Sequence, residues 1–510
     1  MKKQLSILLL SSALCLSMPA LADETAITIY SKAQPGAIDP NLYRPVNGQA
    51  GYNGMSVPGY GIIRQVREVD LPNKSNIIKY SDVAAYIDPT TVQFKSLTDP
   101  KGTKVGEQNY QFDLVSQQKL LEKYIDKKIT VEKVVGDKTE STEGTLMSTQ
   151  GGLTLKTADG SVKAINGYSS VTFPSLSDGL ITKPTLVWNV FTDKVGKHKS
   201  EVSYQTQGIT WWADYNLIYN EGKDANNGTV DFGSWVSIIN QTGATFNDAK
   251  LKLMAGDVQQ VNNGGGMALG KAMRMDMAME SRAEAPPSFA EKAFFEYHLY
   301  TLDTPVTLPD NSTKQLELIP AVASVPVEKL MVFNGQQAQY WNYGGIYIDQ
   351  GYGVETGNRK VDVFLKLINK KENGMGVPLP SGRIRVNQRD AADGSLEFIG
   401  ESIIDHTARN EEIMIKLGSA FDVVGERKQI DYVLNTNGKF ADETIEIKIR
   451  NQKKQAVKVK IVESMYRATG WKITNTSDEY VKDNSNQVSF IVDVAPEKEK
   501  IVTYKVHYSW

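Results

Sequence analysis

The chain has 510 residues, a length that accommodates about three or four packing units of ordinary size. Its charge is nearly balanced, with 57 Lys and Arg against 59 Asp and Glu, so a nucleic-acid partner is disfavoured. Hydrophobic residues make up 41% and charged residues 23%, which excludes a chain that is disordered throughout or built of membrane helices.

The first residues have the features of an export signal. Lys2 and Lys3 precede a mostly apolar run, and Ala20 and Ala22 form a small-x-small cleavage pattern. We therefore predict a signal peptide over 1–22 and a periplasmic or secreted protein. The single cysteine, Cys15, lies inside this leader, so the exported chain depends on buried area rather than on disulfides. No later segment has the roughly 18 consecutive apolar residues that a membrane-spanning helix needs.

Residues 23–118 predict an N-terminal β domain that contains a Gly/Pro-rich loop over 33–59. A short helix follows, because Ser116 can cap it and the apolar residues of 120–125 form one stripe. Short strand candidates separated by turns then continue to 173. This pattern predicts an SH3-like small barrel over 119–177, with the extension of a neighbouring sheet as the alternative.

Alternation of apolar and polar residues resumes at 185 and predicts a central β domain over 185–420. The sequence Asn226-Asn227-Gly228 indicates a tight hairpin turn within it. Residues 262–290 are rich in Met, Ala and Gly and predict a flexible insert. Because strand patterns restart beyond this insert, we place it within the central domain rather than at a boundary.

The last part of the chain has the clearest alternation at period two. Isoleucines alternate with charged residues over 445–449, and valines and isoleucine alternate with lysines over 457–461, which predicts a half-buried hairpin. With two further strands near the C terminus, this predicts an immunoglobulin-like β-sandwich over 422–510. The predicted fold class is mainly β, with several antiparallel β domains and few helices.

Several segments resemble a bacterial exported-protein family that is defined by a domain of unknown function, some of whose relatives are labelled mucoidy-inhibitor-like. The resemblance covers nearly the whole exported chain, and it implies an exported β-rich protein without implying a reaction. The segments that carry it are Glu107–Leu114, Gly208–Tyr215, Trp235–Ala244, Ala255–Val258, Phe295–Tyr300 and Thr503–Val506.

Sequence motifs for catalysis are not found. The four histidines are far apart along the chain, and no His-Glu-x-x-His, nucleotide-binding loop or serine-hydrolase elbow occurs. Ser116 and Lys119 match a Ser-x-x-Lys pattern, but a helix cap explains Ser116 better. We therefore predict no catalytic residue, no cofactor and no enzyme activity.

Two features of the sequence partly match metal sites. Met273, Met275, Met277 and Met279 could present soft thioether ligands to copper, although a low-complexity loop is the simpler explanation. Asp224 and Asp390 begin oxygen-rich stretches that fit turns better than a calcium loop. No metal site is predicted.

Trp212 and Asp214, on the strand face opposite Trp211, form a possible interaction surface. The sequence thus predicts a non-catalytic binding or scaffolding component of the bacterial cell envelope, with an envelope protein or polysaccharide as partner. Three alternatives stay open: copper handling through the Met-rich insert, an outer-membrane β-barrel, and a hydrolase whose site forms only in the fold.

Overall fold

The structure is a computed structural model that describes residues 24–34, 36, 38, 57–81, 83–177, 179–256, 258, 289–335, 346–353, 357–390 and 392–510. The predicted signal peptide, most of the loop over 33–59 and most of the insert over 262–290 lie outside these residues.

The described residues form 30 strands, one α-helix and a 3-10 turn at Lys371–Asn373, so the mainly β fold class is confirmed. The elements before residue 177 are β1 (Glu24–Ser31), β2 (Gly59–Leu71), β3 (Ser75–Ser81), β4 (Ile87–Ser96), β5 (Lys104–Gln111), α1 (Gln117–Lys123), β6 (Lys128–Val135), β7 (Lys138–Ser148), β8 (Leu153–Lys156), β9 (Val162–Ile165) and β10 (Ser170–Thr172). The next strands are β11 (Thr185–Phe191), β12 (Gly196–Thr206), β13 (Ile209–Glu221), β14 (Asn227–Asn240), β15 (Phe246–Ala255), β16 (Phe289–Phe294), β17 (Tyr297–Leu302), β18 (Val306–Leu308), β19 (Ser312–Glu317) and β20 (Val322–Asn334). The last strands are β21 (Lys360–Ile368), β22 (Gly382–Arg389), β23 (Leu396–Ile404), β24 (Glu412–Asn435), β25 (Phe440–Asn451), β26 (Val457–Ser464), β27 (Gly470–Thr476), β28 (Tyr480–Lys482), β29 (Gln487–Val494) and β30 (Lys498–Ser509).

Two large sheets enclose the main hydrophobic core. One has the order β16-β17-β15-β1-β2-β12-β4, with β18 paired to β15. The other begins β23-β22-β13-β14-β20-β21, and a three-stranded sheet, β3-β11-β5, adds Trp188 to the same core. The core contains Ile27 and Ile29 of β1 together with Trp211 and Tyr215 of β13. Burial alternates along strands such as β1, β12 and β22, so each of them directs one face toward this core.

The predicted N-terminal region 23–118 and central region 185–420 are interleaved in space. Strands β1 and β2 come from the first region, yet β1 pairs with β15 and β2 pairs with β12. The sequence pattern could not show this, because alternation identifies the buried face of a strand and not its neighbour. Strand β15 precedes the predicted insert, and β16, which begins at residue 289, follows it. Both strands pair with β17, so the two sides of the insert belong to one sheet.

A small unit follows in the chain between these regions. Ser116 caps α1, as predicted, with its Oγ accepting a hydrogen bond from Lys119 N at 3.2 Å. The helix packs Leu121 and Tyr124 against a five-stranded sheet of order β10-β6-β7-β8-β9. The number of strands matches the SH3-like prediction, while the sheet is open, with β9 and β10 at its two edges.

The C-terminal strands form two layers around a second core, in agreement with the predicted sandwich. One layer contains β24-β25-β30-β27, and the other contains β26-β29-β28 beside β20. The predicted hairpin over 445–461 is wrong: β25 pairs with β24 and β30, whereas β26 pairs with β20 and β29. The connection between β25 and β26 therefore crosses from one layer to the other.

Strand β24 is shared by the sheet that contains β21 and by the C-terminal sandwich. Its first part pairs with β21 and its second part pairs with β25. The strand continues without a break through residue 421, which lies between the predicted ranges 185–420 and 422–510.

Candidate functional site

A cavity of about 860 Å³ lies where several strands of the two large sheets end. The ends of β1 and β15, the starts of β2 and β13, and the segments before β22 and after β23 provide its described lining. These segments are distant in sequence, so only the fold brings them together. We refer to this feature as the aromatic cavity.

Two tyrosines form one wall of the aromatic cavity. Tyr30 and Tyr60 are directly opposite each other in the antiparallel pair β1–β2, and their rings stack with centroids 4.6 Å apart. Burial raises the pKa of Tyr30, so its phenol stays neutral at ordinary pH and can donate or accept a hydrogen bond.

Gly59 allows the chain to approach β13 beside this wall. Its φ is 152°, and a Cβ there would lie 2.6 Å from Tyr30 O and 2.9 Å from Thr210 Oγ1. Since a side chain at this position would collide with backbone, only glycine places Tyr60 at the start of β2 without strain.

Two consecutive tryptophans at the start of β13 also line the cavity. Trp211 is 3% exposed, and its Nε1 is buried with no hydrogen-bond acceptor among the described residues. Trp212 packs instead against Val57 and Ile239. Its Nε1 donates to Asp214 Oδ2 at 2.7 Å, which fixes the orientation of the indole.

Polar groups complete the described lining. Ser31 Oγ donates to the carbonyl oxygen of Trp211 at 2.5 Å, and Ser381 N donates to His406 Nδ1 at 3.1 Å. Among the lining residues that the structure describes, Lys32 is the one lysine or arginine and Asp405 the one carboxylate. The charges in the lining are therefore close to balanced, and Lys32, Asp405 and His406 are exposed at the rim.

The predicted interaction surface, Trp212 and Asp214, is buried rather than exposed, at 7% for each residue. Asp214 Oδ1 lies 3.3 Å from Arg383 Nη2 and 3.5 Å from Arg385 Nη1. Asp214 therefore holds Trp212 in place on one side and two arginines on the other. Trp212 takes part in the candidate site only as a lining residue of the aromatic cavity.

The structure adds Tyr30, Tyr60, Trp211, Asp405 and His406 to the site that sequence reasoning outlined. Trp211 carried a signal in the sequence, because it adjoins Trp212 in a strand. The others carried none, since their proximity depends on strand pairing between distant segments. Met273, Met275, Met277 and Met279 lie outside the described residues.

The side chains that could suggest catalysis have structural partners. Ser116 Oγ is occupied as a helix cap, and Lys119 Nζ lies 3.5 Å from Asp113. His198 is fully buried, with Ser96 Oγ 2.8 Å from its Nδ1 and the carbonyl oxygen of Lys194 2.6 Å from its Nε2. This serine–histidine pair is closed to substrate, because Ser96 is also buried.

Two further histidines, His298 on β17 and His507 on β30, are each hydrogen-bonded to a carboxylate. His298 Nδ1 lies 2.7 Å from Glu291 Oε1, and His507 Nδ1 lies 2.7 Å from Asp442 Oδ1. The other oxygen of Glu291 accepts a hydrogen bond from Arg409 at 2.8 Å. These contacts explain both histidines as links between neighbouring segments.

The oxygen-rich turns are turns in the structure. Asp224 Oδ1 accepts from Asn226 N at 2.8 Å in the β13–β14 hairpin, and Asp390 Oδ1 accepts from Ala392 N at 2.8 Å. No cluster of three or more His, Cys, Asp or Glu residues suited to a metal ion occurs within the described ranges.

Comparisons with known proteins leave the family open. The chain matches no protein-family model and no curated protein. In the portion of the chain that the structure covers, no helix has the length and apolar character needed to cross a membrane.

Proposed function

We propose that this protein is a non-catalytic binding or scaffolding component of the bacterial cell envelope, and that the aromatic cavity is its binding site. The export expectation from the leader and the resemblance to an exported family support the location. The observation that carries the binding role is the cavity, which joins tyrosine and tryptophan walls to a polar rim.

The residues that line the cavity are typical of a ligand-binding site rather than of a catalytic site. Ligand sites are typically concave, largely aromatic or apolar, and carry a few polar groups that fix orientation. Stacked Tyr30 and Tyr60, with Trp211 and Trp212, supply the rigid walls. The hydrogen bond that Asp214 accepts from Trp212 and the one that Ser31 donates to the Trp211 carbonyl keep the tryptophan strand in place. The charges at the rim would orient a bound partner.

The test begins with location and capture. The full chain, expressed with a C-terminal tag in a bacterial host, is fractionated by osmotic shock, and the released protein is used to capture components of an envelope extract. We expect release with the periplasmic fraction and specific retention of an envelope protein or polysaccharide. Recovery of the intact chain only in the cytoplasm would contradict the proposed location.

The role of the cavity is tested with a matched pair of variants. Asp405→Ala removes an exposed carboxylate at the rim, and Glu140→Ala removes an exposed carboxylate from β7 of the small unit. We expect the first variant to lose captured partner and the second to retain it. Equal capture by both variants would assign binding to another surface, and chemical conversion of the captured partner would contradict a non-catalytic role.

A further inference from the structure

We infer that a second pocket binds an unbranched alkyl carboxylate, with the alkyl chain against aliphatic walls and the carboxylate between Lys329 and Lys453. This pocket, which we call the lysine pocket, has a volume of about 250 Å³ and is lined by residues of β13, β20, β21, β22, β23 and β24 together with Lys453. Its described lining shares no residue with that of the aromatic cavity, so the inference goes beyond the proposed function.

The walls of the lysine pocket are mostly aliphatic. Val363, Ile399 and Leu417 come from three different strands and are each half-buried, so part of each side chain is open to a bound molecule. Met331 and Leu365 also line the pocket and belong to the C-terminal core and the main core respectively. The pocket therefore lies where the two hydrophobic cores meet, and an apolar group that enters it is removed from water.

Two lysines supply the charge of this pocket. In the described lining, Lys329 and Lys453 are both half-buried, and no Asp or Glu accompanies them. The fold fixes both backbones: Lys329 N donates to the carbonyl oxygen of Asn226 at 2.6 Å, and Lys453 N donates to Asn451 Oδ1 at 3.0 Å. The Lys329 ammonium also lies 5.9 Å from the ring centre of Tyr219, which lines the same pocket.

The electrostatics around Lys329 favour an added anion. Burial lowers the pKa of Lys329, and the charge of Lys453 lowers it further. Glu221 and Asp224 oppose this by smaller amounts, and neither lines the pocket. A negative group placed between the two lysines would replace their repulsion by attraction and stabilise the charged form of both.

An alkyl carboxylate satisfies both surfaces. Its oxygens can accept charge-assisted hydrogen bonds from the two ammonium groups, while its chain lies against the aliphatic walls. Free phosphate or a sugar would leave these walls without an apolar partner, and an alkyl amine would add a third positive charge. The fit of charge to charge and of apolar chain to apolar wall therefore selects this ligand class.

The size of the pocket limits the chain. Its volume of about 250 Å³ is below the ~300–1,000 Å³ that is usual for sites of drug-sized ligands, so the ligand is small. Gly418 has a φ of 150°, and a Cβ there would meet no atom within 4 Å, so no side chain fills the space beside this part of β24. We expect a chain of medium length to fill the pocket.

Isothermal titration of the full chain with hexanoate, octanoate and decanoate tests the inference, at concentrations below those at which these acids form micelles. Affinity should rise about 4-fold for each CH2 that is buried and should level off when the pocket is full. Octanol and inorganic phosphate are the comparison ligands, and octanoate should bind more tightly than either. Absence of saturable carboxylate binding, or equal binding of octanol and octanoate, would overturn the inference.

Variants assign the carboxylate to the two lysines. Lys329→Met/Lys453→Met keeps apolar side chains but removes both charges, and the dissociation constant of octanoate should rise about 12-fold or more, whereas that of octanol should not rise. Lys458→Met is the matched control, because Lys458 is a half-buried lysine of β26 outside the described lining, and it should bind octanoate as the parent does. Parental preference for octanoate in the double variant would overturn the inference.

Lys453→Gln provides a second test if the double variant fails to fold, because Lys453 lies in the connection between β25 and β26. Its affinity for octanoate should fall and its affinity for octanol should not. An equal loss for both ligands would show that the lysine only shapes the pocket, and parental affinity for octanoate would also count against the inference.

Discussion

Replacing Arg467 by methionine should strongly destabilise the C-terminal sandwich, because this arginine forms a buried ion pair. Its side chain is 1% exposed and that of Glu443 is 0% exposed, with Arg467 Nη2 3.1 Å from Glu443 Oε1. The guanidinium also donates to the carbonyl oxygens of Tyr347 at 3.2 Å and Asp349 at 2.6 Å. Arg467 therefore ties the segment 346–353 to the sandwich.

The magnitude follows from what the substitution leaves behind. Glu443 would keep the hydroxyl of Tyr466 at 2.6 Å and the amide of Gln429 at 2.7 Å, but no cation would offset its buried charge through this pair. Removing one partner of a buried ion pair costs about 3–5 kcal/mol. We expect Arg467→Met to lower the free energy of unfolding of this unit by that amount.

The assay is denaturant-dependent hydrogen exchange, followed on peptides from β25 and β30. Lys197→Met is the control, because Lys197 pairs with Glu68 at 2.6 Å while their side chains are 73% and 56% exposed. Such an exposed pair should contribute little. The double variant Glu443→Gln/Arg467→Met removes both charges and should recover much of the loss. A change below about 1 kcal/mol in Arg467→Met, or no recovery in the double variant, would refute the reasoning.

Three further predictions concern local stability and pH. Ser116→Ala should destabilise α1 by about 1 kcal/mol, which would be measured as faster amide exchange over 117–123. Ser116→Asp keeps a side-chain acceptor and should restore the parent's exchange rate. Equal exchange in the parent and both variants would be inconsistent with capping. Burial raises the pKa of Tyr80 to about 12, so its stabilising contribution is complete below pH ~10 and is lost as the pH rises towards 12. As the pH rises through this range, the free energy of unfolding of Tyr80→Phe should therefore fall less than that of the parent. An equal fall in both proteins would argue against this prediction. Hydrogen bonds from Thr157 and, to a smaller extent, from Ser161 lower the pKa of Asp159 to about 2. Asp159→Asn should therefore weaken the turn that contains this residue above pH ~4, where the unfolded carboxylate is also charged, and should match the parent near pH ~2. Amide exchange in the turn measures the difference. A difference that persists unchanged at pH 2 would contradict this.

The sequence predicted which faces of the strands are buried far better than which strands are neighbours. Ile445, Ile447 and Ile449 are buried as their alternation indicated, and so are Val457 and Val459. Their strands nevertheless lie in different layers, because a short polar connection can close a hairpin or cross between sheets. The pattern encodes a face, and tertiary packing selects the partner.

The same limit applies to the candidate site. Alternation placed Trp211 and Trp212 on opposite faces of one strand, and they do belong to different hydrophobic clusters. Tyr30 and Tyr60 could not be assigned to the site, because their contact depends on the pairing of β1 with β2, which are far apart along the chain. The burial of Asp214 also depends on β22, whose arginines come from far along the chain.

Strand β24 has a mechanical consequence. Domains joined by a loop commonly rotate about it as about a hinge. Here the backbone of β24 is hydrogen-bonded to β21 along one stretch and to β25 along the next, so a rigid ribbon replaces the hinge. Twisting the C-terminal sandwich against the sheet that contains β13 would break backbone hydrogen bonds between β24 and its neighbouring strands. A force applied to the C-terminal strands is therefore transmitted directly into that sheet.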